Sequence, residues 1–329
     1  MQKLLTIVVP VYKVEPYINK CLDSLVLEDE HLMNQLEVVI VNDGTPDNSA
    51  EMSREYVKRY PNTFRQIDKE NGGHGSAWNV GLKEATGKYL RFLDSDDWLT
   101  NLDKLMYVLQ RSDADVVMTN LNNYHEDTKC NDLWQLSANQ SNELRDVEQF
   151  NFDDFYGRTN VMNFLFSTYK TELLQPLYPL FMEKVMYDDS ILYAIPFIHA
   201  KNYLCCDFVL YNYLSGRVGQ SMNSSVKRKN VKSLLKTYLY EMDYISKHID
   251  KLGEQRKMSL FRIMASDSSY LLHMLTYLPW HEFKKQISIC VPFFHLEQKE
   301  WKRGKMNARF LKYPLPLFYM IEKIRQTFN

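Results

Sequence analysis

Two short runs, Leu4–Val9 (LLTIVV) and Leu36–Val41 (LEVVIV), constrain this chain more than any other feature. Both are almost continuously apolar, rich in β-branched residues and too short for a buried helix. Each therefore reads as a strand covered on both faces, the first ended by Pro10. A helical pattern follows the first run from Pro16, with Tyr17, Ile18, Cys21, Leu22 and Leu25 on one side. A second follows Asn42-Asp43-Gly44, with Asp47 and Ser49 as capping residues and Met52, Tyr56 and Tyr60 continuing the face. Phe64–Ile67 is a weaker strand, Ala77–Ala85 a helix ended by Gly87, and Tyr89–Leu93 another strand. Leu102–Leu109 and Val116–Thr119 repeat the alternation. Strands alternating with short helices give the α/β class: a doubly wound, mostly parallel sheet.

In such a sheet the ligand lies at the carboxyl ends of the strands. The polar groups delivered there are Tyr12, Asp43, the Asn71–Ser76 loop, and Asp94 with Asp96. Asp94, Asp96 and Asp97 stand in YLRFLDSDDWL, directly after the strand. Carboxylates this close repel one another unless a cation or a solvated turn relieves them. Asp94 and Asp96 suit a hard divalent ion, Mg2+ or Mn2+, with phosphate oxygens completing its shell. The other reading is an Asp/Ser-rich turn capping the helix that starts near Leu102. The glycine-rich Gly72-Gly73-His74-Gly75 precedes a helix and is either an anion-binding loop or a flexible turn.

Composition excludes several classes. Net charge is -1 over 329 residues, so no global field recruits nucleic acid, and 45% hydrophobic with 25% charged residues is a soluble composition. The length allows two domains, or one large domain with an appendage. Five cysteines, an odd number with no CxxC, argue against a disulfide framework or zinc site and for a reducing compartment. The first residues are too soon interrupted for a signal peptide, and no run of 18 apolar residues occurs. The expected location is cytoplasmic. PVYKVE after the first strand is no dinucleotide fingerprint, and Gly81–Lys88 has the wrong spacing and context for a phosphate loop.

TIVVPVYKVEPYINKCLDSL, VVIVNDGTPDNS and ENGGHGSAWNVGLKEATGKYLRFLDSDDW together resemble the family 2 glycosyltransferases of GT-A fold, in order from Thr6 to Trp98, with a weaker tail to about residue 222. The resemblance implies a nucleotide-sugar donor, usually a UDP-sugar, a divalent metal and inversion at the anomeric carbon. It implies that Pro10, Val11 and Tyr12 line the base pocket and that Asp43 holds base or ribose. Asn71, Gly73, His74, Asn79 and Ser95 complete the donor side. Asp94 and Asp96 would be the DxD metal pair, with Asp96 the more direct ligand. Trp78 stands where many members have Arg.

Glycosyl transfer also needs a base for the acceptor hydroxyl. Glu183-Lys-Val-Met-Tyr-Asp188-Asp189 resembles the family's acidic pair, with Asp189 as base and Asp188 beside it. The alternative is an acidic helix start favoured by the dipole. Tyr211–Ser221 reads as a polar loop resembling one that closes over the donor, in which Arg217 meets a phosphate or is solvated. The expected organisation is a GT-A domain over 1–222, split into a donor half (1–120) and an acceptor half (121–222), then a helical C-terminal region over 223–329.

In that region Val231, Leu234, Leu235, Tyr238, Leu239, Met242 and Ile245 form one helical stripe, and Met258 to Leu278 suggest a second helix, both read as packing. Residues 299–329 carry eight Lys/Arg against two Glu, a net +6, interleaved with aromatics. That pattern suits peripheral contact with an anionic membrane at the inner face of the plasma membrane, a helix packed on the core, or a partner-binding tail. Two functions stay open: a metal-dependent inverting transferase with a saccharide or lipid-linked acceptor, in surface polysaccharide or glycolipid synthesis, and a non-catalytic binding protein on the same sheet. A nucleotidyltransferase lacks its glycine-rich signature after the first strand.

Overall fold

The computed structural model describes residues 3–135, 150–151, 164–217, 226, 229–301, 316 and 319–320. Strands β1 (Leu5–Val11), β2 (Leu36–Asn42), β3 (Phe64–Asp68) and β4 (Tyr89–Phe92) lie in the order β3-β2-β1-β4, all parallel. Every residue of β1 and β2 is buried, as their continuous apolar runs require. Pro10 does not end β1. The Val8 carbonyl accepts from Leu93 N on the β4 side, so the missing Pro10 N–H faces that same side, past the last rung of the ladder.

The sheet continues through β9 (Ser167–Lys170), β6 (Val116–His125) and β10 (Asn202–Ser215) to the two-residue β5 (Trp98–Leu99). β9 runs antiparallel between β4 and β6, while β10 is parallel to β6. β7 (Asn131–Trp134) and β8 (Phe150–Asn151) add antiparallel edges to β6 and β10. The sheet is therefore mixed and mostly parallel. Residues 211–215, expected as loop, are the end of β10.

Helices α1 (Ile18–Asp23), α2 (Glu30–Gln35), α3 (Ser49–Arg59), α4 (His74–Glu84) and α5 (Leu102–Arg111) connect the first strands. α2 is capped by Asp29, whose carboxylate accepts from the backbone of His31 and Leu32. α4 starts three residues before the expected Ala77, because Gly73 at its N-cap takes φ 89°. It packs on β1 and β2. Trp78 is fully buried against Phe92, Phe164 and Phe181, with ring centroids 4.6, 5.0 and 5.1 Å away.

After β9 come α6 (Thr171–Leu174), 3₁₀ turns at Gln175–Leu177 and Asp188–Ser190, and α7 (Ile191–His199). The C-terminal helices are α8 (Val231–His248), α9 (Glu254–Leu275) and α10 (Trp280–Trp301). The expected stripe is the buried face of α8, with Val231, Leu235, Tyr238, Met242 and Ile245 inside. α8 packs on α7, where His199 Nε2 meets Tyr244 OH at 2.6 Å, and Arg256 of α9 donates to the Ile198 carbonyl. Most of the basic-aromatic segment 299–329 lies outside the described residues, but Tyr319 is packed. Its ring stands 5.1 Å from Trp280 and 4.9 Å from Phe283, and its hydroxyl donates to Leu278 O. Among the described residues no helix is long and apolar enough to cross a membrane. All five cysteines are free.

Candidate active site

β4 ends in a tight turn, with Asp97 N donating to Asp94 O at 3.0 Å. The turn brings oxygens of Asp94, Asp96 and Asp97 within 4.8 Å of one another. The three differ in what else they touch. Asp97 is buried, accepting from Tyr211 OH at 2.6 Å and from Leu214 N at 2.7 Å, so it ties the turn to β10. Burial and the two neighbouring carboxylates push its carboxyl well above the usual range. Asp94 keeps partial exposure, and its Oδ1 lies 3.0 Å from His74 Nε2. Asp96 is pushed up to about 6, first by burial and then by Asp94, while the Arg217 guanidinium paired with it acts the other way. Ser95 between them is buried.

The oxygen-only donor set fits a hard divalent cation, and such an ion would relieve the repulsion that Asp94 adds to the burial of Asp96. With Asp97 engaged by β10, Asp94 and Asp96 are the residues that would hold it. Arg217 sits 5.2 Å from the Tyr17 ring, and its Nε is buried without a partner among the described residues.

Across the crevice, Asp43 organises the glycine loop. Its buried carboxylate accepts from Gly72 N at 2.9 Å, Gly73 N at 2.8 Å and Lys69 Nζ at 2.7 Å. Asn71 Nδ2 donates to the Asp43 carbonyl. The anion expected at this loop is thus the chain's own Asp43, and any nucleotide contact of Asp43 is shared with the loop. Asp43 N donates to Val11 O, which places Pro10 and Val11, both buried, and the exposed Tyr12 beside it at the β1 end.

The 180–190 segment closes over the start of α4. Lys184 N donates to Gly72 O at 2.7 Å. Asn79, expected on the donor side, instead holds this segment: Oδ1 accepts from Leu180 N and Phe181 N, and Nδ2 donates to Phe181 O. This buried amide has its polar atoms engaged three times by one backbone segment, so it braces that segment. The two acidic residues separate as well. Asp188 is buried, with Oδ1 3.5 Å from His74 Nδ1 and Oδ2 packed where a Cβ on Gly75 would lie only 1.8 Å away. Expected among the catalytic groups, it is walled in by α4. Asp189 keeps partial exposure, accepts from Tyr193 OH at 3.2 Å, and is pushed up to about 6 by burial and then by Asp188.

His74 therefore stands between Asp94 and Asp188, and its ring lies 4.1 Å from that of Trp78. Burial would lower its pKa, but hydrogen bonds to both carboxylates outweigh that and raise it well above the usual value. The structure thus joins the DxD turn, the glycine loop and the acidic turn. Reading the sequence missed Lys69, Tyr193 and Tyr211. Only Tyr193 carries a local signal, standing four residues after Asp189 on a helix.

Residues 6–166 match the family model described as "Glycosyl transferase family 2". The uncharacterized glycosyltransferase EpsJ of Bacillus subtilis is 37% identical over 142 residues, 43% of this chain and 40% of that protein. Glycosyltransferase GlyA of Streptococcus pneumoniae is 36% identical over 124 residues, 37% of this chain and 17% of that protein. The chain thus spans less than half the length of these relatives. Among solved structures, S. aureus TarS 1–349 in complex with UDP-GlcNAc superposes with a TM-score of 0.60 at 16% identity, covering 93% of each chain. Mannosyltransferase PcManGT from Pyrobaculum calidifontis, in complex with GDP-Man and Mn2+, gives 0.53 at 17% identity, covering 98% of this chain and 85% of that one. At these identities the two structures establish the shared GT-A fold.

Proposed function

We propose that this chain, whose residues 6–166 match the family 2 glycosyltransferases, acts as one of them and transfers a sugar from a nucleotide-sugar donor to an acceptor hydroxyl. The donor is a UDP-sugar, the acceptor a saccharide or lipid-linked saccharide, and the anomeric carbon inverts. One observation carries this reading: Asp94 and Asp96 converge at the end of β4, and His74 and Asp188 link that turn directly to Asp189. The solved structural neighbours bound to UDP-GlcNAc and to GDP-Man with Mn2+ support the donor class.

Asp189 is the reachable carboxylate of its pair, and its raised pKa suits a general base. It takes the acceptor hydroxyl proton as that oxygen bonds to the anomeric carbon. The bond from that carbon to the diphosphate breaks on the opposite face, and the nucleoside diphosphate leaves with the electron pair. Asp94 and Asp96 would hold Mn2+ or Mg2+, which when bound neutralises charge developing on the leaving diphosphate. Arg217, whose buried Nε has no partner among the described residues, meets a donor phosphate once Asp96 is otherwise engaged. Tyr12 offers an exposed ring to the base beside the Asp43-held loop.

The test is a thermal-shift screen of nucleotide sugars with Mn2+, since a ligand that binds only the folded state raises the melting point. A metal-dependent rise with one or more UDP-sugars, followed by UDP release on adding acceptor, is expected. No shift with any nucleotide sugar defeats the reading. The net +6 of residues 299–329 extends the proposal to peripheral contact with an anionic membrane where a lipid-linked acceptor resides. Liposome co-sedimentation that salt abolishes supports that extension, and absence of binding to anionic vesicles removes it.

A further inference from the structure

The C-terminal helices, read from sequence as packing, set a buried carboxylate against the acidic turn. Glu241 of α8 is only 1% exposed, and its Oε1 accepts from Ser190 Oγ at 2.6 Å. Ser190 closes the 3₁₀ turn that carries Asp188 and Asp189 and is the N-cap of α7. That turn starts from a strained backbone. Tyr187 holds φ 68° and ψ 26°, a left-handed conformation costly for an aromatic residue and kept only where surroundings impose it. His74 grips the turn from the α4 side through Asp188, and Glu241 grips it from the α8 side through Ser190. Asp189 lies between the two grips. A buried carboxylate is costly to place, and a role as packing alone gives no reason for one beneath this turn.

We infer that Glu241 is a positioning residue for the transfer reaction, fixing the Asp188–Ser190 turn from the C-terminal helices and thereby aiming Asp189. The inference rests on Asp189 being the base. Its consequence is that the helices beyond residue 230 set the catalytic rate without touching either substrate. Small misplacements of a reacting group are expensive, so Glu241→Ala lowers kcat about 10- to 100-fold. Donor KM and UDP affinity stay near the wild-type values, because the DxD turn and glycine loop are untouched. Glu241→Gln keeps an acceptor oxygen and recovers most of the rate. Ser190→Ala breaks the same bond without altering α8, though it also removes the 3.2 Å contact of Ser190 Oγ with Tyr187 O, and in the double variant the kcat losses do not multiply.

The experiment is steady-state kinetics on the full chain for these four variants, with hydrogen exchange of amides 187–192 measured alongside. Faster exchange confined to 187–192, together with a kcat loss at constant donor KM, is the expected result. Unchanged exchange there in both Glu241→Ala and Ser190→Ala overturns the inference whatever the reaction proves to be. So does a kcat loss in Glu241→Ala when Asp189→Asn turns over normally, since the effect then bypasses Asp189. If transfer is never detected, the proposed function fails, while the exchange measurement still decides whether Glu241 holds the turn.

Discussion

At the end of β4 and again at the start of α7 the chain sets carboxylates side by side, and the two places share a plan. In each, one member is drawn inside as a structural tie: Asp97 to Tyr211 and Leu214, Asp188 to His74. In each, a neighbour stays more accessible with its pKa pushed up to about 6, Asp96 in the first and Asp189 in the second. They differ in the balancing charge. Asp96 faces a permanent guanidinium, Arg217, whereas Asp189 has a phenol, Tyr193, and an indirect imidazole, His74. Under the proposed function, a carboxylate that takes up a metal tolerates a counter-ion that the metal replaces. One that must accept a proton is better left without a permanent partner, which would hold its pKa low.

Breaking the first cluster has the largest expected effect. Asp96→Ala abolishes turnover with the circular dichroism spectrum unchanged, and full Mn2+-dependent activity in that variant would remove the metal-site half of the comparison. The second cluster comes next. Asp189→Asn lowers kcat by ~10² to 10⁴ while UDP-sugar binding stays near normal. If Asp188→Asn or Glu183→Gln kills turnover instead, the assignment within that cluster is reversed.

The comparison sharpens in pH. A base with a pKa near 6 is charged above it, so wild-type kcat falls as pH drops through about 6. Asp189→Asn removes this limb from the residual rate. Protons also compete for Asp96, so metal affinity falls over the same range, and that limb survives in Asp189→Asn.

Breaking either structural tie should cost stability, and at Asp188 turnover as well. Gly75→Ala pushes a methyl group toward Asp188 Oδ2 and Met182 O, at 1.8 and 2.6 Å in the present backbone. The turn must move, so both the urea midpoint and turnover fall. Tyr211→Phe leaves Asp97 without one donor and lowers unfolding free energy by about 1–3 kcal/mol. Equal urea midpoints for Tyr211→Phe and wild type would show that Asp97 is no tie.

The donor half was legible because strands buried on both faces are written as apolar runs and their polar ends follow at once, as in β1 with Tyr12 and β4 with Asp94. β9 was not legible: Ser-Thr-Tyr-Lys carries no apolar run and is a strand only because β4 and β6 flank it. Arg91 lay within a readable strand, but its complete burial against Thr168 and Leu165 depends on that unseen neighbour. Asn79 and Asp188 were read through the family resemblance, as a donor-side residue and a member of the acidic pair. Their inward direction follows from how the 180–190 segment folds over α4, which no local pattern encodes. Glu241 stands outside the apolar stripe of its helix, and only the structure shows it bonded to Ser190 of the acidic turn.

The most direct test of the DxD metal site is calorimetric titration of UDP into wild type and Asp96→Ala, each with and without Mn2+. Strong Mn2+-dependent binding is expected in wild type, and in the variant only the weak, metal-independent binding of the Asp43 and Tyr12 side. Equal affinity with and without Mn2+ in wild type, or undiminished Mn2+-dependent binding in Asp96→Ala, would contradict it.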